Sequence, residues 1–244
     1  INDPIILNLF QNIKKEDFIL NEMGISSYGD LDINLDNNRG YLKNLHIAQL
    51  IQSAEILKSH KVLHIGGLTG YVSVILSKLC KELIVIESNA NLSRILKDNI
   101  QKLNIQNIKI VDSDFKEGFA DDSPYDIIFI DNPVNNLSKL LKEQVIQNDG
   151  TIIMIKKVIN DLCKAVKIIK NNNDFTTEYL FDVFTRYELI KSKEEFIFWW
   201  LNYLYQYYLF FLTSNSWSLD VDYTIRSTIE NNAKVKIGLE KLIE

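Results

Sequence analysis

Five short apolar runs spaced between helical stretches constrain this fold more than any other feature of the chain. They are Val62–Ile65, Leu83–Ile86, Ile108–Val111, Asp126–Ile130 and Thr151–Ile155. Helical periods fill the gaps at Val72–Leu79, Asn89–Leu103 and Leu137–Ile146, and Gly150 breaks the last of these. Strands that alternate with helices form βαβ units, which predicts an α/β architecture around a mainly parallel sheet with helices on both faces. A further helix at Leu162–Lys170 and a pair of strands, Phe175–Phe184 and Phe196–Phe198, are expected to close a seven-stranded sheet.

Before this core, Asp3-Pro4 followed by apolar residues through Ile13 fits an N-capped amphipathic helix. A second helical pattern runs from Leu45 to Leu57, ending near Lys58. The polar, turn-rich stretch Gly24–Gly40 between them is expected to be a loop or lid.

With 244 residues, 46% of them hydrophobic, the chain has room for one generous domain or a domain and an appendage. A net charge of −5 with scattered Lys and Arg excludes a general attraction to nucleic acid or anionic membrane. Cys80 and Cys163 stand far apart without CxxC spacing, and there are three His. A disulfide framework or metal centre is therefore not expected, and a reducing compartment is. The opening Ile1-Asn2-Asp3-Pro4 carries neither Met nor a basic-then-apolar leader, so the expected setting is cytoplasmic.

In open α/β sheets, ligands bind beyond the carboxyl ends of the strands. Gly66, Gly67 and Gly70 lie between the first core strand and the helix headed by Tyr71, where small residues permit close approach of a ligand. Glu87, 21 positions after Gly66, ends the next strand and is followed by Ser88. A carboxylate there can accept hydrogen bonds from both ribose hydroxyls of an adenosine. Asp114 and Phe115 follow the third strand, where the adenine amino group would sit. A tight turn and a solvated strand-end charge are the plain alternatives. The dinucleotide pattern GxGxxG is not met, because Leu68 takes its second glycine position and Gly70 falls one place late. That spacing favours S-adenosyl-L-methionine (SAM).

The run Val62-Leu63-His64-Ile65-Gly66-Gly67-Leu68-Thr69-Gly70-Tyr71 resembles the VLEIGTGSGY motif of the protein-L-isoaspartate O-methyltransferases. The resemblance continues through Leu83–Glu87, Leu103–Ile108, Ser113-Asp114, Gly118-Phe119 and Ser123–Ile128, and Ile1–Leu20 is similar to the family's opening. It covers roughly residues 1–198 and points to a divergent bacterial branch. It implies a Rossmann-like class I SAM-dependent methyltransferase that repairs proteins by carboxyl methylation of isoaspartyl residues in proteins or peptides. The cofactor residues it implies are Gly66, Gly67, Gly70, Tyr71, Glu87, Ser88, Asp114 and Phe115.

This chain departs from the family at three places. His64 stands where the family has Glu, Leu68 stands where it has Gly, and Leu42 replaces the Ser of the substrate-loop motif GQTIS. Leu68 is expected to crowd the cofactor's amino-acid end, and His64 to be a strand-end residue and not a base. Arg39, for an acceptor carboxylate, and Tyr41, for a hydroxyl, are substrate candidates on that loop. Asp131, in Asp131-Asn132-Pro133 at the end of the fourth strand, is a third and would also suit an amine acceptor. No residue is assigned as catalytic. The rivals are a SAM-binding or interaction protein that lost the acceptor site, and a methyltransferase with another acceptor.

After Glu195 no charge appears until Asp220, and residues 196–213 are rich in Phe, Trp, Tyr and Leu. Asn202 and Gln206 and the central aromatics make this a marginal membrane span. Residues 199–244 are expected to form an aromatic and amphipathic tail beyond the methyltransferase domain, 1–198, within which 1–58 form N-terminal helices and a substrate lid. An extra helix, a membrane-surface segment and an oligomer contact are its candidate roles.

Overall fold

The structure is a computed structural model that describes residues 1–19, 31–36, 39–159, 161–172 and 174–189. The chain divides into two compact units, Ile1–Ile190 and Lys191–Glu244. Everything described belongs to the first unit, so the expected strand 196–198 and the tail lie outside the described residues.

Five helices and nine strands make up the described unit: α1 Pro4–Asn12, β1 Ile33–Asp36, β2 Arg39–Tyr41, α2 Asn44–Ser53, β3 Lys61–Ile65, α3 Tyr71–Ser77, β4 Glu82–Ile86, α4 Ala90–Lys102, β5 Ile108–Val111, β6 Ile127–Val134, α5 Lys139–Glu143, β7 Asn148–Ile159, β8 Leu162–Asn171 and β9 Asp174–Phe184. Local chemistry sets the helix starts. Asp3 Oδ1 accepts the Ile5 and Ile6 N–H groups at 2.8 and 3.3 Å, and Pro4 needs no partner at the first helical position. Asn89 caps α4 in the same way through Asn91 and Leu92.

The main sheet has the order β5-β4-β3-β6-β7-β8-β9. Pairings from β5 to β7 are parallel, and β8 pairs antiparallel with both β7 and β9. Successive strand residues serve opposite faces. Val62, Leu83, Val85, Ile127, Phe129, Ile153 and Ile155 share one core cluster with the buried faces of α1 to α4. Leu63, Ile65, Ile84, Ile86, Ile128, Ile130, Ile152 and Met154 share the other with Phe115, Tyr125, Leu189 and Leu141 of the short α5. Burial on both faces explains why these strands read as unbroken apolar runs.

The expected helix at Leu162–Lys170 is instead strand β8. β7 ends at Ile159 and β8 begins at Leu162, a gap that admits a hairpin and excludes the longer crossover a parallel return needs. Within β8, Cys163 and Ala165 are buried around exposed Lys164. Past a bulge at Ala165/Val166, Val166, Ile168 and Lys170 are buried in turn. The expected loop at Gly24–Gly40 ends in the β1–β2 hairpin, with Ile33 opposite Tyr41 and Asp36 opposite Arg39; residues 20–30 lie outside the described residues.

Candidate functional site

The turn between β3 and α3 lies beside the carboxyl end of β4. Gly66 (φ +90°), Leu68 (φ +52°) and Gly70 (φ +104°) all take left-handed backbone. The Gly66 and Gly67 N–H groups both donate to Ile86 O, at 2.9 and 3.1 Å. These glycines therefore continue the β3–β4 ladder instead of aiming their N–H groups at a ligand. Leu68 breaks the left-handed preference for glycine, and its N–H donates to Glu87 Oε2 at 2.8 Å. Its side chain is fully buried in the cluster on the α1–α4 face. A Cβ on Gly70 would lie 2.8 Å from Leu96 Cδ1, so its absence lets α4 pack against the turn.

Glu87 is 1% exposed, and four donors surround its carboxylate. Leu68 N–H and Asn89 N–H reach Oε2 and Oε1 at 2.8 and 2.9 Å. The Arg39 guanidinium adds Nη2 to Oε2 at 2.8 Å and Nη1 to Oε1 at 3.3 Å. An ionised carboxylate has about four lone-pair sites, so this one is saturated from within the chain. Arg39, 8% exposed, also lies over the Phe115 ring, 5.1 Å from its centroid, and its Nε is buried without a partner.

Two of the expected substrate residues thus part company. Arg39 joins the strand-end acid, whereas Tyr41 ties its hairpin to the glycine turn. The Tyr71 N–H donates to Tyr41 Oη at 3.0 Å, and Tyr41 Oη lies 2.8 Å from Thr69 Oγ1. Thr69 Oγ1 donates to Phe18 O at 2.6 Å, which leaves Tyr41 to donate to Thr69. Burial pushes the Tyr41 phenol well above its ordinary value, so it stays a neutral hydroxyl. Leu42 is buried, and its carbonyl accepts Lys15 Nζ at 2.9 Å.

Asp131 is 2% exposed and lies within β6, which runs past the expected strand end to Val134, with His64 Nε2 and Asn132 Nδ2 at 3.4 and 3.2 Å from Oδ1. His64 Nδ1 lies 2.9 Å from Ser73 Oγ on α3, so the fully buried imidazole bridges helix and acid. Asn132 Oδ1 is buried without a partner.

The remaining expected cofactor residues scatter. Tyr71 is buried among Phe10, Phe18 and Tyr41, with ring centroids 5.6 to 6.1 Å away. Ser88 and Asp114 are exposed, and Asp114 Oδ1 accepts Lys116 N–H at 2.7 Å within its own turn. Phe115 stays beside the turn, buried in the cluster that holds Ile65 and Ile86.

Sequence reasoning missed two residues. Leu189, beyond β9, covers Gly66: a Cβ there would lie 2.6 Å from Leu189 Cδ1 and 3.5 Å from Arg39 Nη2. Its N–H donates to Pro133 O at 2.9 Å, which anchors the segment over the strand ends. Gln144 clamps the loop after β5, accepting from Phe119 N–H at 2.9 Å and donating to Glu117 O at 2.6 Å. No local pattern marks either residue. Arg39 and Leu189 thus pack side by side against Gly66 at the strand ends.

Comparison with known proteins identifies the family and the fold. Residues 1–187 match the family Protein-L-isoaspartate(D-aspartate) O-methyltransferase (PCMT). A protein-L-isoaspartate O-methyltransferase of Koribacter versatilis is 26% identical over 155 residues, covering 64% of this chain and 70% of the relative. One of a Bradyrhizobium species is 23% identical over 186 residues, covering 75% and 85%. A solved structure titled protein-L-isoaspartate O-methyltransferase superposes with a TM-score of 0.69 at 22% identity, over 78% of this chain and 62% of that one. The fold is thus the Rossmann-like, mainly parallel seven-stranded sheet of class I SAM-dependent methyltransferases, and this chain spans less than two thirds of that solved chain. With more than half its length matched in one continuous stretch, the chain belongs to the protein-L-isoaspartate (D-aspartate) O-methyltransferase family.

Proposed function

We propose that this protein transfers a methyl group from SAM to the carboxylate of isoaspartyl residues in proteins or peptides, in the cytoplasm. The observation that carries the reading is the meeting of the Gly66–Gly70 turn with Glu87 beyond the carboxyl ends of the neighbouring strands β3 and β4, joined by the Leu68 N–H. Glu87 would hold the ribose and Phe115 the adenine, with the turn bordering the cofactor.

The cofactor supplies an electrophilic methyl on a sulfonium, and an ionised acceptor carboxylate is already a nucleophile, so no general base is required. The protein's task is then alignment and charge balance. Tyr41 holds the acceptor loop to the glycine turn, and Asn132 Oδ1 is an acceptor for an N–H of the incoming peptide. Loss of the family's Ser at Leu42 removes a hydroxyl, not a proton-transfer group.

The assay is label transfer from SAM to matched isoaspartyl and aspartyl peptides. The reading expects a base-labile methyl ester on the isoaspartyl peptide alone; binding of S-adenosylhomocysteine without transfer would overturn it. The saturation of Glu87 by Arg39 favours a second reading, an interaction protein whose seat stays closed. Absence of any binding would support that one.

A further inference from the structure

We propose that Arg39 couples the two substrates: it holds the nucleoside seat until the ribose hydroxyls exchange it off Glu87, and it then receives the acceptor carboxylate. This rests on the cofactor reading above.

Two of the four donors on Glu87 come from Arg39, and the other two are backbone N–H groups fixed by the turn and by Asn89. A ribose presents two hydroxyl donors, the number that Arg39 would vacate. The guanidinium lies between Glu87 and the Phe115 ring and beside Gly66, so a nucleoside stacked on Phe115 and bonded to Glu87 takes its place.

The surrounding backbone confines the exchange to the side chain. A Cβ on Gly40 would lie 2.2 Å from Ile33 O and 2.8 Å from Tyr187 Cζ, so the hairpin is pinned next to Arg39. Tyr41, on its other side, is tied to Thr69 and Tyr71. The guanidinium itself is hydrogen-bonded through its two terminal nitrogens alone, because Nε has no partner.

A guanidinium released in surroundings this buried requires another anion. Its planar fork matches a carboxylate. The carboxylate has two sources, the acceptor and the cofactor's own amino-acid end, and the acceptor is the one that makes cofactor entry a condition for acceptor binding.

The test uses the full chain, with Arg39→Gln. Calorimetry compares S-adenosylhomocysteine with 5′-methylthioadenosine, which keeps the ribose and lacks the carboxylate. If Arg39 is an internal competitor, the variant binds both nucleosides about 3- to 10-fold tighter. Its KM for an isoaspartyl peptide rises by about tenfold with little change in kcat. Equal or weaker binding of both overturns the inference alone. Tighter methylthioadenosine with weaker S-adenosylhomocysteine overturns the acceptor role and assigns Arg39 to the cofactor's carboxylate. Absence of binding in both wild type and variant overturns the inference together with the cofactor reading. Melting curves establish that the variant is folded. Should it unfold, the Nε–H resonance of Arg39 in 15N-arginine-labelled wild type, assigned with Arg39→Lys, gives the same answer. It should shift at saturation with S-adenosylhomocysteine, and an unmoved signal overturns the exchange.

Discussion

Arg39 and Glu87, 48 residues apart in sequence, form a two-pronged ion pair at 2.8 and 3.3 Å whose side chains are 10% and 0% exposed. Removing one member of a buried pair strands the other charge. Arg39→Ala should therefore cost about 3–5 kcal/mol of unfolding free energy, far more than an exposed pair would. Urea unfolding at neutral pH measures it, and a loss below about 1 kcal/mol would place the pair among solvent-screened ones.

Tyr41→Phe removes one oxygen from a chain that runs from Tyr71 N–H through Thr69 to Phe18 O. The Tyr71 N–H is then left buried without its acceptor, which should cost about 1–3 kcal/mol. Acceptor peptide KM should rise with it, because the loop loses its tie to the turn. A fully stable variant would show that water takes over the hydroxyl's place.

Leu68→Gly restores the residue that the family motif carries, yet it should destabilise this protein. Relief of left-handed strain is worth about 1–2 kcal/mol, whereas removing a fully buried leucine side chain costs about 2–5 kcal/mol. A net loss of about 1–3 kcal/mol is expected from those two terms. A gain in melting temperature would mean that the site collapses around the glycine.

The thiols of Cys80 and Cys163 are both pushed up to about 11 by burial, from 9.0. Buried Tyr41, Tyr71 and Tyr125 move in the same direction for the same reason. The folded values exceed the unfolded ones, so the stabilisation is complete below the unfolded values and is lost as pH rises toward the folded values. Urea midpoints should hold steady to about pH 8 and fall across pH 9 to 11. A Cys80→Ala, Cys163→Ala double variant should show a shallower fall, and an identical slope would refute the thiol contribution.

The parallel core was legible because strands covered on both faces cannot be polar at alternate positions, so Val62–Ile65 and Leu83–Ile86 stand out as apolar runs. β8 was not, because Lys164, Lys167 and Lys170 recur every three residues and imitate the polar stripe of a helix. The short Ile159–Leu162 connection, the pairing with β7 and β9, and the reach of Lys170 Nζ to Val145 O at 3.1 Å accommodate that spacing in a strand. The glycine turn and Glu87 were legible for a local reason, since each ends a strand. The pairing of Arg39 with Glu87 and the cover of Leu189 over Gly66 are tertiary contacts between distant segments, and no spacing encodes them.

The turn at Gly66–Gly70 and Glu87 form the proposed cofactor seat. Calorimetric titration of S-adenosylhomocysteine into the wild-type protein tests it most directly. Saturable one-to-one binding with a raised melting temperature is the predicted result. No heat and no shift at millimolar ligand would contradict it.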